Sequence, residues 1–168
     1  MQINLRAFRQ KVTRNKSRLK RFLTKIEKNR PRGLNALAIE TDKEVWKDTN
    51  CLQCGNCCKT MSPTYSPADI KRIASHLEMT PTSFTEKWLR KDREGDWINQ
   101  TEPCQFLNLK NNYCSIYEVR PADCAGFPHH TKRHTTQYIH VFKQNIERCP
   151  ATYRLVELME EKMRNSEM

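Results

Sequence analysis

Several things that this sequence lacks set its first limits. No run of eighteen or more apolar residues occurs, so no stretch reads as a membrane-spanning helix. The N-terminus carries no apolar core followed by a small-residue cleavage site, and without a signal peptide a reducing compartment, the cytoplasm, is the expected setting. Aromatic residues make up only 8% of the chain and apolar residues 37%. That is low for a self-sufficient fold of 168 residues, so part of the stability is expected to come from bonds to metal rather than from burial alone. Catalytic signatures are missing too: there is no G-x-G-x-x-G, no P-loop, no G-x-S-x-G and no H-E-x-x-H. No enzyme class follows, and any catalysis would rest with a bound cluster as the reactive centre.

What the chain does have is eight cysteines, four of them in Cys51-Leu-Gln-Cys54-Gly-Asn-Cys57-Cys58. Thiolates at C-x2-C-x2-C spacing can all turn inward on one tight loop, because two intervening residues let the backbone curl once round an ion or a cluster. Gly55 supplies the backbone freedom that the curl needs. Side chains of neighbouring residues usually diverge, so of Cys57 and Cys58 one is expected to serve the loop's own site while the other reaches elsewhere. Clustered cysteines in a reducing compartment point to metal in preference to disulfides. A second set follows at Cys104, Cys114 and Cys124, and Cys149 precedes a proline. A final Cys-Pro is what ferredoxin-type runs place at their fourth ligand.

The net charge of +11 is not spread evenly. Residues 1–32 hold twelve Lys and Arg against the single acid Glu27, which accounts for the whole excess. The remaining eighteen basic and eighteen acidic residues cancel, leaving the cysteine-bearing part formally neutral. The composition therefore divides the chain into a basic amphipathic N-terminal helix, residues 1–32, and a cysteine-cluster domain, residues 33–168. In the helix an apolar stripe is expected at Leu5, Phe8, Val12, Leu19, Phe22 and Ile26, with Asn15 at its gap and an end near Pro31 and Gly33. Packing on the protein's own body competes with an RNA or other acidic-partner surface and with a membrane-surface helix or organellar presequence.

Further helices are expected over residues 34–49, 67–78, 83–89, 136–147 and 151–163. Ser66, Pro67 and Asp69 make a good helix start. Residues 91–101 read as exposed apart from Trp97 and Ile98. A short hairpin turned by Asn111-Asn112 would bring Cys104 back towards Cys114. His76 reads as a surface residue. His129, His130 and His134 read as an exposed polar loop, because eight cysteines already complete two four-coordinate sites. The fold expected is mainly α: a small helical domain with irregular cysteine-rich metal-binding loops and at most a short β-hairpin.

The order C-x2-C-G-x-C-C, then P-C-x-x-L, then C-x-I-Y-E-x-R-P-x-x-C with G-F-P, then C-P, resembles the CxxCxxCC cysteine-cluster family, also called the YkgJ family and described as zinc- or iron-chelating. The resemblance spans about Cys51 to Pro150. It implies bacterial-type cytoplasmic metal binding at Cys51, Cys54, Cys57, Cys58, Cys104, Cys114, Cys124 and Cys149. Where family members often carry Cys-Arg-x-Phe-Pro, this chain has Cys124-Ala125-Gly126-Phe127-Pro128.

For the cofactor, a [4Fe–4S] cluster held by Cys51, Cys54, Cys57 and a remote Cys124 or Cys149 is favoured over structural zinc by the C-x2-C-x2-C run. Zinc remains the alternative, since eight thiols divide into two tetrahedral sites. Two functions follow. One is an iron–sulfur protein that carries electrons or supports a protein partner's redox chemistry. The other is a zinc-stapled module whose residues 1–32 contact RNA or another macromolecule. A reactive Cys58 is disfavoured, because neighbouring thiolates should raise its pKa unless metal is bound.

Overall fold

The computed structural model describes residues 3–131 and 134–166. In chain order the helices are α1 (Leu5–Asn29), α2 (Leu34–Asp48), α3 (Cys51–Cys54), α4 (Asn56–Thr60), α5 (Pro67–His76), α6 (Pro81–Trp88), α7 (Ala122–Gly126), α8 (Thr135–Asn145) and α9 (Pro150–Ser166). Three short strands, β1 (Thr64–Tyr65), β2 (Leu89–Lys91) and β3 (Trp97–Asn99), and a 3-10 turn at Tyr117–Val119 complete the elements. The architecture is mainly α, as expected. The chain divides into two compact units: residues 1–54 with 128–168, and residues 55–127.

The first unit is built from α1, α2, α8 and α9, which pack on one another in pairs. Asn4 starts α1 by accepting the Ala7 N–H at 3.0 Å, and Arg30, in the left-handed region at φ 44°, ends it. The buried stripe is Phe8, Val12, Leu19, Leu23 and Ile26. The expected stripe used Phe22, which is only half-buried. Counting from Leu19, a step of four reaches Leu23 on the packed face and leaves Phe22 at its edge. At the gap, Asn15 donates to the Tyr153 hydroxyl at 3.0 Å, so a polar residue sits in the stripe with its hydrogen bond made. The basic back is partly engaged: Lys16 and Lys20 pair with Glu147, and Arg18 with Glu160. The compositional boundary at residue 32 is thus a boundary of charge, and residues on both sides of it belong to this unit.

In the second unit α5 begins with the expected box. Ser66 Oγ accepts the Asp69 N–H at 3.1 Å while Asp69 Oδ2 accepts the Ser66 N–H at 3.0 Å. Ile70, Ile73 and Ala74 face a core that includes Tyr65, Phe84, Leu89, Phe106 and Ile116. The rings of Phe84 and Phe106 stack 6.3 Å apart. His76 is exposed, as expected.

Residues 91–101 are mostly exposed with Trp97 and Ile98 half-buried, as expected, while Asn99 is buried and the segment forms strands the sequence did not announce. β2 and β3 pair antiparallel with Lys91 opposite Trp97, and β1 adds to β3, giving the order β1-β3-β2. Asp92 Oδ1 accepts the Glu94 and Asp96 N–H groups, each at 2.9 Å, and so makes the turn. Strands of two or three residues are too short to show a period in sequence. The hairpin expected around Asn111-Asn112 is reduced to one bridge, Leu107 with Cys114.

Candidate metal centre

Cys51 to Cys58 do not form an irregular loop. α3 carries Cys51 and Cys54, α4 carries Cys57 and Cys58, and Gly55 joins them at φ 56°. A β-carbon on Gly55 would meet Asn112 at 3.1 Å, so glycine is required there by both conformation and space. The boundary between the two units falls at this glycine. Cys51 and Cys54 lie in the first unit with Cys149, and Cys57, Cys58, Cys104, Cys114 and Cys124 lie in the second.

In the second unit the Cys104 N–H donates to the Cys58 carbonyl at 2.8 Å, which ties the second cysteine set to α4. Cys114 is anchored by the Leu107 bridge. Cys124 rides on α7, whose first turn is fastened where Asp69 Oδ1 accepts the Ala122 N–H at 3.1 Å. These ties gather four thiols that act on one another. Burial pushes the Cys124 thiol far up, and the charges of Cys58, Cys104 and Cys114 push it further. Burial likewise takes Cys104 up to about 11, with Cys58 and Cys114 adding to the rise. Cys114 is raised by burial and by Cys58.

Against these increases, backbone donors are already aimed at the sulfurs. The Phe106 N–H acts on Cys104 and the Ile116 N–H on Cys114, each two residues on. Such donors favour the thiolate. Cys58 is the exception to the expected rise, lowered to about 7 by the Cys57 thiol, whose sulfur is 3.8 Å away. Its own backbone N–H and Lys59 help, and burial opposes them. The expectation that neighbouring thiolates raise Cys58 is therefore corrected. The thiol hydrogen bond from the adjacent residue outweighs the effect of burial.

Asn99 was not legible as a site residue. It is fully buried, and its Oδ1 accepts from the Tyr65 hydroxyl at 2.6 Å and from Gln105 Nε2 at 3.1 Å. That fixes the amide's direction and leaves Nδ2 with no oxygen or nitrogen to donate to, while the Asn99 side chain favours the Cys104 thiolate. A buried amide donor left over beside sulfur is what a thiolate ligand accommodates.

Cys149 stands immediately before α9, with Pro150 at the first helical position, where the missing N–H costs nothing. Burial raises its thiol, while the N–H groups of Thr152 and Ala151 and the Thr152 hydroxyl act to lower it. The sulfur thus does the work of a helix N-cap. Cys54 lies near enough in the same unit to raise Cys149 by its charge.

His130 corrects another expectation. It is buried, at 4% exposure, whereas His134 is exposed and His129 half-buried. His130 Nδ1 lies 2.7 Å from Asp42 Oδ1, and Nε2 lies 2.9 Å from the Thr152 hydroxyl. With both nitrogens engaged, His130 is not available as a metal ligand. The partners, 88 residues before it and 22 after, left no local signal in the sequence.

Among the described residues no three Cys, His, Asp or Glu side chains are set, as they stand, to hold a metal ion. The donor chemistry fits a soft ion: four thiols in one unit, with backbone and amide donors directed at their sulfurs.

Residues 50–150 match the profile of the CxxCxxCC family, described as "Putative zinc- or iron-chelating domain". The chain belongs to this family. The CxxCxxCC match takes in all eight cysteines and leaves out α1, α2 and most of α9. An uncharacterized protein of Methanocaldococcus jannaschii is 30% identical over 82 residues, covering 48% of this chain and 44% of that protein. The chain thus spans less than half the length of this curated relative. No solved structure matches it. No described helix is long and apolar enough to cross a membrane.

Proposed function

We propose that the chain is a cytoplasmic metal-binding protein whose cysteines hold an iron–sulfur cluster of the [4Fe–4S] type, carrying electrons or supporting the redox chemistry of a partner protein. The proposed ligands are Cys51, Cys54, Cys57, Cys58, Cys104, Cys114, Cys124 and Cys149. One observation carries the reading: Cys58, Cys104, Cys114 and Cys124 lie within electrostatic reach of one another in one compact unit. Four half-buried thiols so placed oppose one another's ionisation. A bound cation removes the repulsion, and metal binding then stabilises the fold that gathers them.

Four thiolates satisfy either a [4Fe–4S] cluster or zinc. Iron–sulfur is preferred on the C-x2-C-x2-C spacing. The N–H donors to the sulfurs and the Asn99 amide would act on such a cluster as groups that tune its potential. Bound iron would supply one-electron chemistry, and the chain's residues would set its exposure and hydrogen bonding.

The second reading is a zinc-stapled module that binds RNA. It is favoured by α1, whose packed face is apolar while Arg6, Arg9, Lys11, Arg14, Arg21 and Lys25 are exposed.

Anaerobic purification, an absorption spectrum and elemental analysis for iron, sulfide and zinc decide between the two. Brown protein with iron and acid-labile sulfide supports the redox reading. Colourless protein holding zinc replaces it with the stapled module, and protein free of both metals overturns both.

A further inference from the structure

The cations of α1 lie on two sides of the helix, and the fold uses those of only one. Lys16 and Lys20, which pair with Glu147, and Arg18, which pairs with Glu160, flank the buried stripe. Arg14, Arg21, Lys25 and Lys28, at steps of seven, four and three, share one line of the helix on the side away from that stripe, and all four are exposed. At the rise of an α-helix this line is about 21 Å long. Among the described residues no acid pairs with it, and Glu27, the one acid of residues 1–32, is held by Lys143 at 2.6 Å. Exposed Thr13, Ser17 and Thr24 run beside the line. At its N-terminal end Arg6, Arg9, Gln10, Thr13 and Arg14 border an open depression of about 320 Å³.

What this face lacks narrows its partner. The apolar stripe of α1 is buried, so the helix has no apolar side to sink into a lipid surface. Phe8 is buried and Phe22 half-buried at the edge of the packed face, so unpaired bases find no stacking platform on the outward side. What remains is a row of cations, which suits phosphates. The hydroxyls beside it add a second signal. Thr13 Oγ1 donates to the Arg9 carbonyl and Thr24 Oγ1 to the Lys20 carbonyl, each at 3.0 Å. A hydroxyl has one hydrogen, so with it spent inward both oxygens are left as exposed acceptors. A ribose 2′-OH can donate to such an oxygen, and a deoxyribose has nothing to donate.

We propose that the outward face of α1 is a docking surface for double-stranded RNA, with Arg14, Arg21, Lys25 and Lys28 on phosphates and the Thr13 and Thr24 oxygens accepting from ribose hydroxyls. This rests on RNA binding by residues 1–32, the second reading above, and holds with either metal at the cysteines. One side of α1 is packed on its own unit, so the helix meets the duplex from outside. Recognition is then of backbone and shape and carries no base sequence.

The test is fluorescence anisotropy of the full chain, purified with its own metal, against an RNA duplex of about 20 base pairs, a DNA duplex of the same sequence and one strand of the RNA, each over a range of salt. The RNA duplex is expected to bind tightest, with log K falling linearly against log salt. Arg14→Gln with Arg21→Gln, both exposed and both changed to a good helix former, should flatten that slope by about 2 and weaken duplexes of every sequence alike. Arg14→Lys with Arg21→Lys should keep the native slope. Lys71→Gln with Arg93→Gln removes the same charge from exposed positions of the second unit and should leave the slope unchanged. Thr13→Ala with Thr24→Ala should narrow the preference for RNA over DNA. A Gln pair in α1 with the native slope overturns the proposal, as does equal flattening by the pair in the second unit. A DNA duplex or a single RNA strand bound as tightly as the RNA duplex overturns it while leaving RNA binding by α1 in place. Failure to bind either RNA overturns the second reading as well.

Discussion

Asn112 occupies the space that a side chain on Gly55 would need, with its β-carbon 3.1 Å from where the new one would stand. Gly55 is also at φ 56°, a conformation that costs other residues roughly 1–2 kcal/mol. Gly55→Ala is therefore expected to destabilise the protein by at least about 1–2 kcal/mol, the strain of backbone and crowding acting together. Thermal unfolding of the two proteins checks this, and an unchanged Tm would remove glycine's structural role.

If Cys104 and Cys124 serve one centre, their losses should not add. Cys104→Ser and Cys124→Ser should each lower bound metal by the same amount, and the double variant by no more than either alone. Metal per chain, measured by elemental analysis, separates this from independent sites, where the double variant would lose twice as much.

The phase of α1 makes a sharp contrast between neighbours. Leu23 is fully buried and Phe22 half-buried. Leu23→Ala should cost about 2–5 kcal/mol, and Phe22→Ala distinctly less despite its larger side chain. Denaturant unfolding measures both. The reverse order would put the stripe where the sequence alone placed it.

Burial works against ionisation of Asp69, but donors from Ser66, Arg72 and Ala122 outweigh it and hold its carboxyl below the usual carboxylate range. A carboxylate depressed in the folded state stabilises the fold at pH values above its unfolded pKa, about 3.9. That contribution is lost as the pH falls from there through the lower folded value. The Tm should therefore fall as the pH drops below about 4, and Asp69→Asn should flatten part of that fall. At pH 6 the variant should be less stable by about 1 kcal/mol for the weakened cap.

Much of this was legible in the sequence, for identifiable reasons. Ser66, Pro67 and Asp69 announced α5 because capping is a local transaction among residues three apart. The helices of the first unit followed from apolar spacing, although a stripe read with one substitution of phase exchanged Leu23 for Phe22. The eight cysteines were visible as a family pattern, and the family match covers them. What was hidden depends on residues distant in sequence. Asn99 is oriented by Tyr65, 34 residues earlier, and His130 by Asp42, 88 residues earlier. Polar side chains buried through such pairings read as surface until their partners are known. The grouping of Cys58 with Cys104, Cys114 and Cys124 was hidden for the same reason, since spacing alone joined Cys57 to Cys51 and Cys54.

The division of the chain at Gly55 also has a consequence for synthesis. The second unit is one continuous segment, whereas the first waits for its second half: α1 and α2 end at Asp48, and their partner α8 begins at Thr135. At the ~5–20 residues per second of translation, the apolar stripe of α1 stays uncovered for on the order of ten seconds after it leaves the ribosome. Twelve cations against one acid in residues 1–32 leave that uncovered segment strongly charged, and like charge opposes its self-association.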